Sequence, residues 1–283
     1  MRIQLHLVAA LAFALTLSAC AGLGGGSFLI SEEEEVEMGA EFHQQLLEEM
    51  PEYMGDPAVD AWVRSIGQRI VPHTHRPDLD YVFTVIDSEE INAFAIPGGY
   101  LYVTTGLLNA ASNGAEVAGV LAHELGHISA YHGVANMETY IIAESLGGLI
   151  GDEDIGGIVT GALQIGAGLT FDKDQEREAD MLGVEYAVAA GFNPWGIVGF
   201  FETLQALEGG EGRDPDPVSD ALSGLGELFS THPPTDERLV DVEAQITDLE
   251  ISEDDPSLDW EASTDLITIQ AILAQDIVDE PVK

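Results

Sequence analysis

The segment Ala115–Gly133, AEVAGVLAHELGHISAYHG, constrains the fold of this chain more than any other. Asn113, just before it, can cap a helix because its side chain accepts hydrogen bonds from the free N–H groups of a first helical turn. Glu116 stands three residues further on and can bond back to the cap residue. Apolar residues then recur at helical spacing, which predicts a helix with one buried face. These residues are Val117, Val120, Leu121, Leu125 and Ile128.

The polar triplet His123, Glu124 and His127 interrupts this apolar stripe. Histidines four residues apart share one helix face, about 6 Å apart along the axis, so both rings can reach one ion at about 2.0–2.1 Å. His-Glu-x-x-His on a helix is the pattern of a zinc hydrolase, in which the carboxylate acts first as general base and then as general acid. The sequence therefore predicts one Zn²⁺ per chain, held by His123 and His127, with Glu124 as the catalytic carboxylate.

A second helical pattern begins near Asp172 and carries Glu176 and Asp180 four residues apart on one face. A zinc site of this type needs a third protein ligand, and Glu176 is the candidate. Asp180 would then hydrogen-bond the free ring nitrogen of a ligand histidine and fix its orientation. Glu178 competes with Glu176 for the role of ligand, since helical spacing does not exclude it.

Two β-rich runs, 81–87 and 100–105, precede the His-Glu-x-x-His segment and are separated by INAFAIPGG. Together with the helical patterns they predict an α+β fold that is mainly helical, with a small sheet beside the metal helix. An open strand edge there could pair with an extended peptide, although an ordinary hairpin explains the pattern equally well. The predicted substrate-binding residues of this segment are Gly98, Gly99, Tyr100, Leu101 and Tyr102.

Further helices are indicated by cap residues and helical spacing. His73 and His75 lie between prolines and lack a third ligand nearby, which favours a plain loop. Residues 145–170 are rich in Gly and Ala and predict a helix, a mobile loop and another helix, either a lid or plain close packing. The other predicted helices span 31–50, 58–71 and 193–207, and one more includes Arg238.

Residues 1–19 have one basic residue, a short apolar run and small residues before Cys20, the only cysteine, and this predicts a secretory signal. Leu17–Cys20 resembles a bacterial lipobox, so Cys20 is the expected lipidation site and residues 20–30 a Gly-rich tether. Ala21 after Cys20 resembles an outer-membrane sorting signal, which places the mature protein in the periplasm. A folded domain is expected over 31–250, followed by a weakly docked acidic tail over 251–283.

The net charge is −42, from 9 basic and 51 acidic residues. Such a surface repels polyanions, which excludes nucleic acid as a partner. With only two lysines among the basic residues, the composition resembles that of proteins from salt-loving organisms.

Five motifs in order resemble the HtpX, BepA and LoiP family of membrane-associated zinc metallopeptidases, which has Oma and CAAX prenyl protease relatives. The resemblance covers about 32–246, and no TPR-like repeat follows, so LoiP-like stand-alone lipoproteins are the better match. The metzincin pattern does not fit, because its third histidine would fall at Gly133, one residue after His132. The motifs are INAFAIPGGYLYVTTGLL at 91–108, HELGH at 123–127, QEREAD at 175–180, AGFNPWG at 190–196 and STHPPTDER at 230–238.

The resemblance implies a gluzincin fold with Glu176 as third ligand and Asp180 behind the ligands. It also implies that His232 and Arg238 lie near the metal, where both could stabilise the oxyanion, or His232 could close the site as an inhibitory ligand. The implied function is an envelope endopeptidase, anchored to the outer membrane by its N-terminal lipid, that cleaves misfolded or misassembled proteins. The alternative is a chaperone or assembly factor for outer-membrane proteins, with a closed and auto-inhibited zinc site.

Overall fold

The computed structural model describes residues 29–147, 171–208, 232–233, 235–261 and 266–279, without the side chains of 140–147, 208 and 277–279. A short 3₁₀ helix, Val71–His73, follows the second helix. The helices are α1 (Glu32–Glu49), α2 (Pro57–Ile70), α3 (Thr105–Ala110), α4 (Gly114–Ser129), α5 (His132–Gly147), α6 (Lys173–Ala189), α7 (Trp195–Glu208), α8 (Asp236–Asp248) and α9 (Leu266–Asp279). The strands are β1 (Val82–Ile86), β2 (Ala93–Ile96) and β3 (Tyr100–Thr104).

The helices begin where side chains satisfy the free N–H groups of the first turn. Ser31 and Asp172 each form a capping box with the side chain three residues later, at the starts of α1 and α6. Asn113 accepts the N–H of Glu116 at the start of α4. Glu116 returns its carboxylate to the Ser112 N–H and to the Asn113 amide, and not to the cap backbone as the sequence suggested. The predicted mainly helical α+β fold is confirmed.

The sheet has the strand order β1-β3-β2, with β1 parallel and β2 antiparallel to β3. Strand β2 was not predicted, because its four residues are all apolar and lie in the connection between the two β-rich runs. The prediction that segment 98–104 offers an open edge is wrong, since β3 is hydrogen-bonded on both sides. The outer strands of the described sheet are β1, whose other side meets Glu52 through an isolated bridge at Ile86, and β2, which packs against α4.

The turn between β2 and β3 is stabilised by a hydrogen bond to the side chain of Glu35. Gly98 and Gly99 have φ of +88° and +94°, a backbone region that favours glycine. The Gly98 N–H donates to Glu35 Oε1 at 3.0 Å, and the buried Arg76 guanidinium donates to both oxygens of the same carboxylate at 2.9 Å. Leu101 and Tyr102 are buried, so this predicted substrate surface is internal.

The central helix α4 packs against α6 and α7 and against strand β2. Two glycines bring α4 and α6 close together. A Cβ atom on Gly126 would lie 2.8 Å from the Ala179 carbonyl oxygen, and one on Gly183 would lie 3.2 Å from the His123 Cα. The backbones of α4 and α6 therefore touch beside the His-Glu-x-x-His motif. Within the described part of the chain, no helix is both long and apolar enough to cross a membrane.

The expectation of a weakly docked tail is wrong for the described residues after 250. Leu266, Ile269 and Leu273 of α9 are buried, and this helix packs on α2 and α3. Upstream of α9, the Ala115 N–H donates to the Trp260 carbonyl at 2.8 Å, next to the start of α4. The sequence showed two short apolar runs here, and both fall within one amphipathic helix.

Replacing Leu273 by alanine is expected to lower the free energy of unfolding by about 2–5 kcal/mol, because Leu273 is only 3% exposed and its loss leaves a cavity. Ile267→Ala on the same helix is the matched control, with a side chain that is 66% exposed. Its expected effect is within about 0.5 kcal/mol. Urea denaturation of both variants measures the difference, and equal effects would mean that α9 is loosely attached.

Candidate metal centre and active site

The four-residue spacing on α4 turns both histidine rings of the motif towards one point. His123 Nε2 and His127 Nε2 are 3.0 Å apart, and both side chains are buried. Glu176 enters from α6, with Oε2 3.7 Å from His123 Nε2 and Oε1 3.4 Å from His127 Nε2. The predicted metal residues are thus brought together by the contact between α4 and α6.

His232 joins the same cluster. Its Nδ1 lies 2.8 Å from Glu176 Oε1 and 3.3 Å from His123 Nε2. One ligand atom from each of His123, His127, Glu176 and His232 lies within 4.8 Å of the others. Two ligands of a tetrahedral ion with bonds of about 2.0–2.1 Å are about 3.3 Å apart, so these spacings of 2.8–3.7 Å fit such an ion.

Glu176 and Glu178 are distinguished by the structure. Glu176 is buried, whereas the Glu178 side chain is 62% exposed and points to His132. Burial alone raises the pKa of Glu176, but hydrogen bonds from His127 and His232 outweigh it and hold that pKa well below its usual range. Glu176 is therefore the carboxylate that faces the imidazoles, ionised and ready to bind a cation.

Asp180 and Arg238 form a buried support behind His123. Asp180 Oδ1 lies 2.9 Å from His123 Nδ1, on the ring edge opposite the cluster. Arg238 donates from Nε and Nη2 to the two Asp180 oxygens, both at 2.7 Å. Although burial raises the pKa of Asp180, the hydrogen bonds from Arg238 and His123 lower it overall. An ionised Asp180 fixes the proton of His123 on Nδ1 and leaves Nε2 free for a metal.

The contacts of Arg238 differ from those that the family resemblance implied. Its remaining nitrogen, Nη1, lies 2.6 Å from Glu176 Oε2 and donates to the Pro233 carbonyl at 3.0 Å. With all three nitrogens engaged, the guanidinium orients Asp180, Glu176 and the residue after His232. This arrangement favours a positioning role for Arg238 and not the oxyanion contact that the resemblance implied.

Glu124 lies beside the cluster, and its surroundings shift its pKa in the opposite direction to that of Glu176. Burial raises the pKa of its carboxyl group. Glu124 Oε1 is 3.6 Å from His232 Nε2. Among the residues that the structure describes, Oε2 is buried without a hydrogen-bond partner. One oxygen thus faces His232, while the other is available to a water molecule.

His132 is a residue whose role the sequence did not indicate. It is buried, with Nδ1 3.0 Å from His127 Nδ1 and Nε2 3.3 Å from Glu178 Oε2. Its distance in sequence from the motif gave no sign of this contact, because residues five apart on a continuous helix point in different directions. His73 and His75 stay outside the cluster; His75 instead contacts the Tyr186 hydroxyl at 2.7 Å.

An apolar recess opens next to His123 and Glu124. His232, Arg238 and Asp180 form its polar part. Because most of its wall is hydrocarbon, it suits an apolar side chain. Its apolar lining residues are Val120, Ile197, Phe200, Phe201 and Leu204.

A helix that carries His-Glu-x-x-His, a glutamate from a neighbouring helix and a small sheet alongside define a metal-dependent hydrolase of the zincin type. The sequence model of peptidase family M48 matches residues 57–246, which include all the cluster residues. The chain belongs to this family and carries a metalloendopeptidase domain, which implies a bound metal ion.

Named relatives agree with this assignment. The beta-barrel assembly-enhancing protease of Escherichia coli K12 is 29% identical over 236 residues, which cover 78% of this chain and 45% of the relative. The metalloprotease YcaL of the same strain is 30% identical over 166 residues, 55% of this chain and 58% of the relative. The mitochondrial metalloendopeptidase OMA1 of Arabidopsis thaliana is 28% identical over 216 residues, 75% of this chain and 41% of the relative. The chain spans about half the length of these relatives.

Three of the sequence predictions concern residues that the structure does not describe. They are the signal sequence over 1–19, the lipidated Cys20 with most of its tether, and most of the segment 145–170.

Proposed function

We propose that this chain is a zinc-dependent endopeptidase of the bacterial cell envelope that hydrolyses peptide bonds in misfolded or misassembled proteins. The observation that carries the proposal is the convergence of His123, His127 and Glu176 with Glu124 beside them. Membership of family M48 supports the same chemistry.

In this proposal His123, His127 and Glu176 hold the metal, and their two nitrogens and one oxygen suit Zn²⁺. Zn²⁺, when bound, supplies a Lewis acid that polarises the scissile carbonyl and acidifies water. Asp180 keeps the His123 ring in its binding orientation through the 2.9 Å contact to Nδ1. These residues therefore determine where the reacting carbonyl must lie.

Glu124 transfers a proton from the attacking water to the leaving nitrogen during hydrolysis. Its Oε2 has no hydrogen-bond partner among the described residues, so it can accept a proton from the attacking water. It then delivers that proton to the leaving nitrogen as the C–N bond breaks. Burial raises the pKa of Glu124 and so makes the carboxylate a stronger base. One water is consumed, and the new carboxyl and amino ends separate.

The substrate is an extended, unfolded chain. Strand β2 is an outer strand of the described sheet, packs against α4 and can offer main-chain hydrogen-bonding groups on the side away from β3. Pairing with a strand edge requires an extended backbone and depends little on sequence. The apolar recess beside Glu124 takes a side chain that flanks the scissile bond. Large apolar side chains are buried in folded proteins, so both features favour misfolded substrates.

We place the protein in the periplasm, attached to the outer membrane through a lipid on Cys20. The lipobox-like sequence supports the anchor, and the similarity to the beta-barrel assembly-enhancing protease supports an envelope setting. Fractionation of cells that express the full chain and its Cys20→Ala variant tests this proposal. Recovery of both proteins in the membrane fraction would contradict a lipid anchor at Cys20.

The proposed activity is tested by incubating the zinc-loaded protein with casein, an unfolded substrate, at several salt concentrations. Cleavage should stop on treatment with a chelator and return on addition of zinc. Mass spectrometry of the products should place large apolar residues next to the cleaved bonds. Failure to cleave at measured full zinc occupancy would contradict an active peptidase.

A chaperone or assembly factor with a closed site is the second candidate, and the position of His232 favours it. His232 Nδ1 is as close to the cluster as the other ligand atoms, so it could bind the metal at the position that a substrate would need. In that case the strand edge of β2 holds unfolded segments without cleaving them.

The His232→Ala variant is expected to retain zinc on three ligands and to cleave casein at least several-fold faster than the wild type. The physical reason is that an imidazole in the fourth position must leave before water and substrate can enter. Initial rates at equal zinc occupancy measure the effect. A slower variant would instead indicate that His232 assists the reaction.

A further inference from the structure

His132 lies behind His127, on the side of the ring away from the cluster. The two Nδ1 atoms are 3.0 Å apart, and His132 is only 4% exposed. His132 Nε2 points outwards to Glu178 Oε2 at 3.3 Å. The order of groups is therefore cluster, His127, His132, Glu178.

A break between two helices creates this contact. On one continuous helix, side chains five residues apart point about 140° away from each other, so residues 127 and 132 could not meet. Here α4 ends at Ser129 and α5 begins at His132. Between them Tyr131 has a φ of +58°, which is uncommon for a residue other than glycine. The Arg76 guanidinium lies over the Tyr131 ring, 4.1 Å from its centre.

The contact determines which nitrogens carry protons. Two ring nitrogens 3.0 Å apart need one proton between them, supplied by one ring and accepted by the other. His127 can bind a metal through Nε2 only if that atom is unprotonated, so its proton is on Nδ1. His132 Nδ1 must then accept, which places the His132 proton on Nε2, facing the Glu178 carboxylate.

We propose that His132 is the positioning residue for His127, as Asp180 is for His123, with Glu178 as its outer partner. The proposal rests on the proposed function in one respect, that His127 is a metal ligand. The two supports differ in strength, because Asp180 is buried and charged whereas Glu178 is largely exposed. Removing His132 should therefore matter much more than removing Glu178.

The test is zinc affinity, measured by competition with a chelator of known affinity. His132→Leu removes the acceptor and is expected to weaken zinc binding about 10- to 100-fold, the usual effect of removing a partner of a ligand histidine. His132→Asn can accept from His127 with its amide oxygen and should stay within a few-fold of the wild type. His43→Leu is the matched control, since His43 Nδ1 bonds the Tyr102 hydroxyl at 2.8 Å instead.

A second measurement separates positioning from general stabilisation. Long-range ¹H–¹⁵N spectra of the zinc-loaded protein should show His127 protonated on Nδ1 and His132 on Nε2. Unchanged zinc affinity in His132→Leu, or a proton on His132 Nδ1, would overturn the proposal. If His132→Leu does not fold, His132→Asn and His132→Gln decide it, since only Asn places its amide at the Nδ1 position; equal affinities would overturn it. A wild type that binds no zinc would refute the proposed function instead.

Discussion

Glu124→Gln is expected to bind zinc like the wild type and to cleave casein about 10²- to 10⁴-fold more slowly. Glutamine keeps the shape of the side chain, but it cannot take a proton from water. Zinc content by elemental analysis and initial rates of cleavage measure the two parts of the prediction separately.

Glu116→Gln is the matched control for this experiment. Glu116 lies on the same helix, is also buried, and has a pKa that burial raises in the same direction. Its carboxylate caps α4 through Ser112 and does not reach the cluster. Its loss should affect stability and leave turnover nearly unchanged. Equal loss of activity in both variants would mean that Glu124 is not the proton carrier.

Arg238→Ala is expected to lower the free energy of unfolding by about 3–5 kcal/mol, because it leaves a buried charge without its partner. Asp180 would lose both 2.7 Å hydrogen bonds from the guanidinium, and Glu176 would lose the 2.6 Å contact. The orientation of His123 depends on Asp180, so zinc affinity should fall as well. Urea denaturation of the metal-free protein measures the first effect.

Arg177→Ala provides the comparison. Arg177 and Asp241 connect the same two helices, α6 and α8, at 2.6 Å, but the Arg177 side chain is 55% exposed. An exposed ion pair contributes about 0.2–1 kcal/mol, and less in salt. If the two arginine variants were equally destabilised, burial of the Arg238 contact would not be the source of its effect.

The sequence predicted what depends on local chemistry. Cap residues marked the starts of α2 and α4, and the motif located the metal helix. The structure distinguished Glu176 from Glu178, yet the signal was present: Glu176, Ala179, Asp180 and Gly183 follow helical spacing and are all buried. Residue 178 falls on the opposite face of α6. Counting spacing over the whole helix would have identified the inward carboxylate.

What the sequence missed depends on contacts between distant segments. Strand β2 is too short and too uniformly apolar to show alternation, and only its pairing with β3 makes it a strand. The docking of α9 depends on a surface formed by α2 and α3. The contact between His132 and His127 depends on the positive φ of Tyr131, which no pattern in the sequence predicts.

The close contact of α4 and α6 at Gly126 and Gly183 also bears on competition among cations. A chain with a net charge of −42 concentrates Mg²⁺ and Ca²⁺ around itself, and these ions far outnumber zinc in most surroundings. Both are hard cations that need six or more ligands, nearly all oxygen, and Ca²⁺ needs bonds of about 2.3–2.6 Å. The touching backbones of α4 and α6 leave little room for further protein ligands between these helices, and the imidazoles offer nitrogen in place of oxygen. Both features disfavour the binding of the hard cations that the protein's own surface attracts.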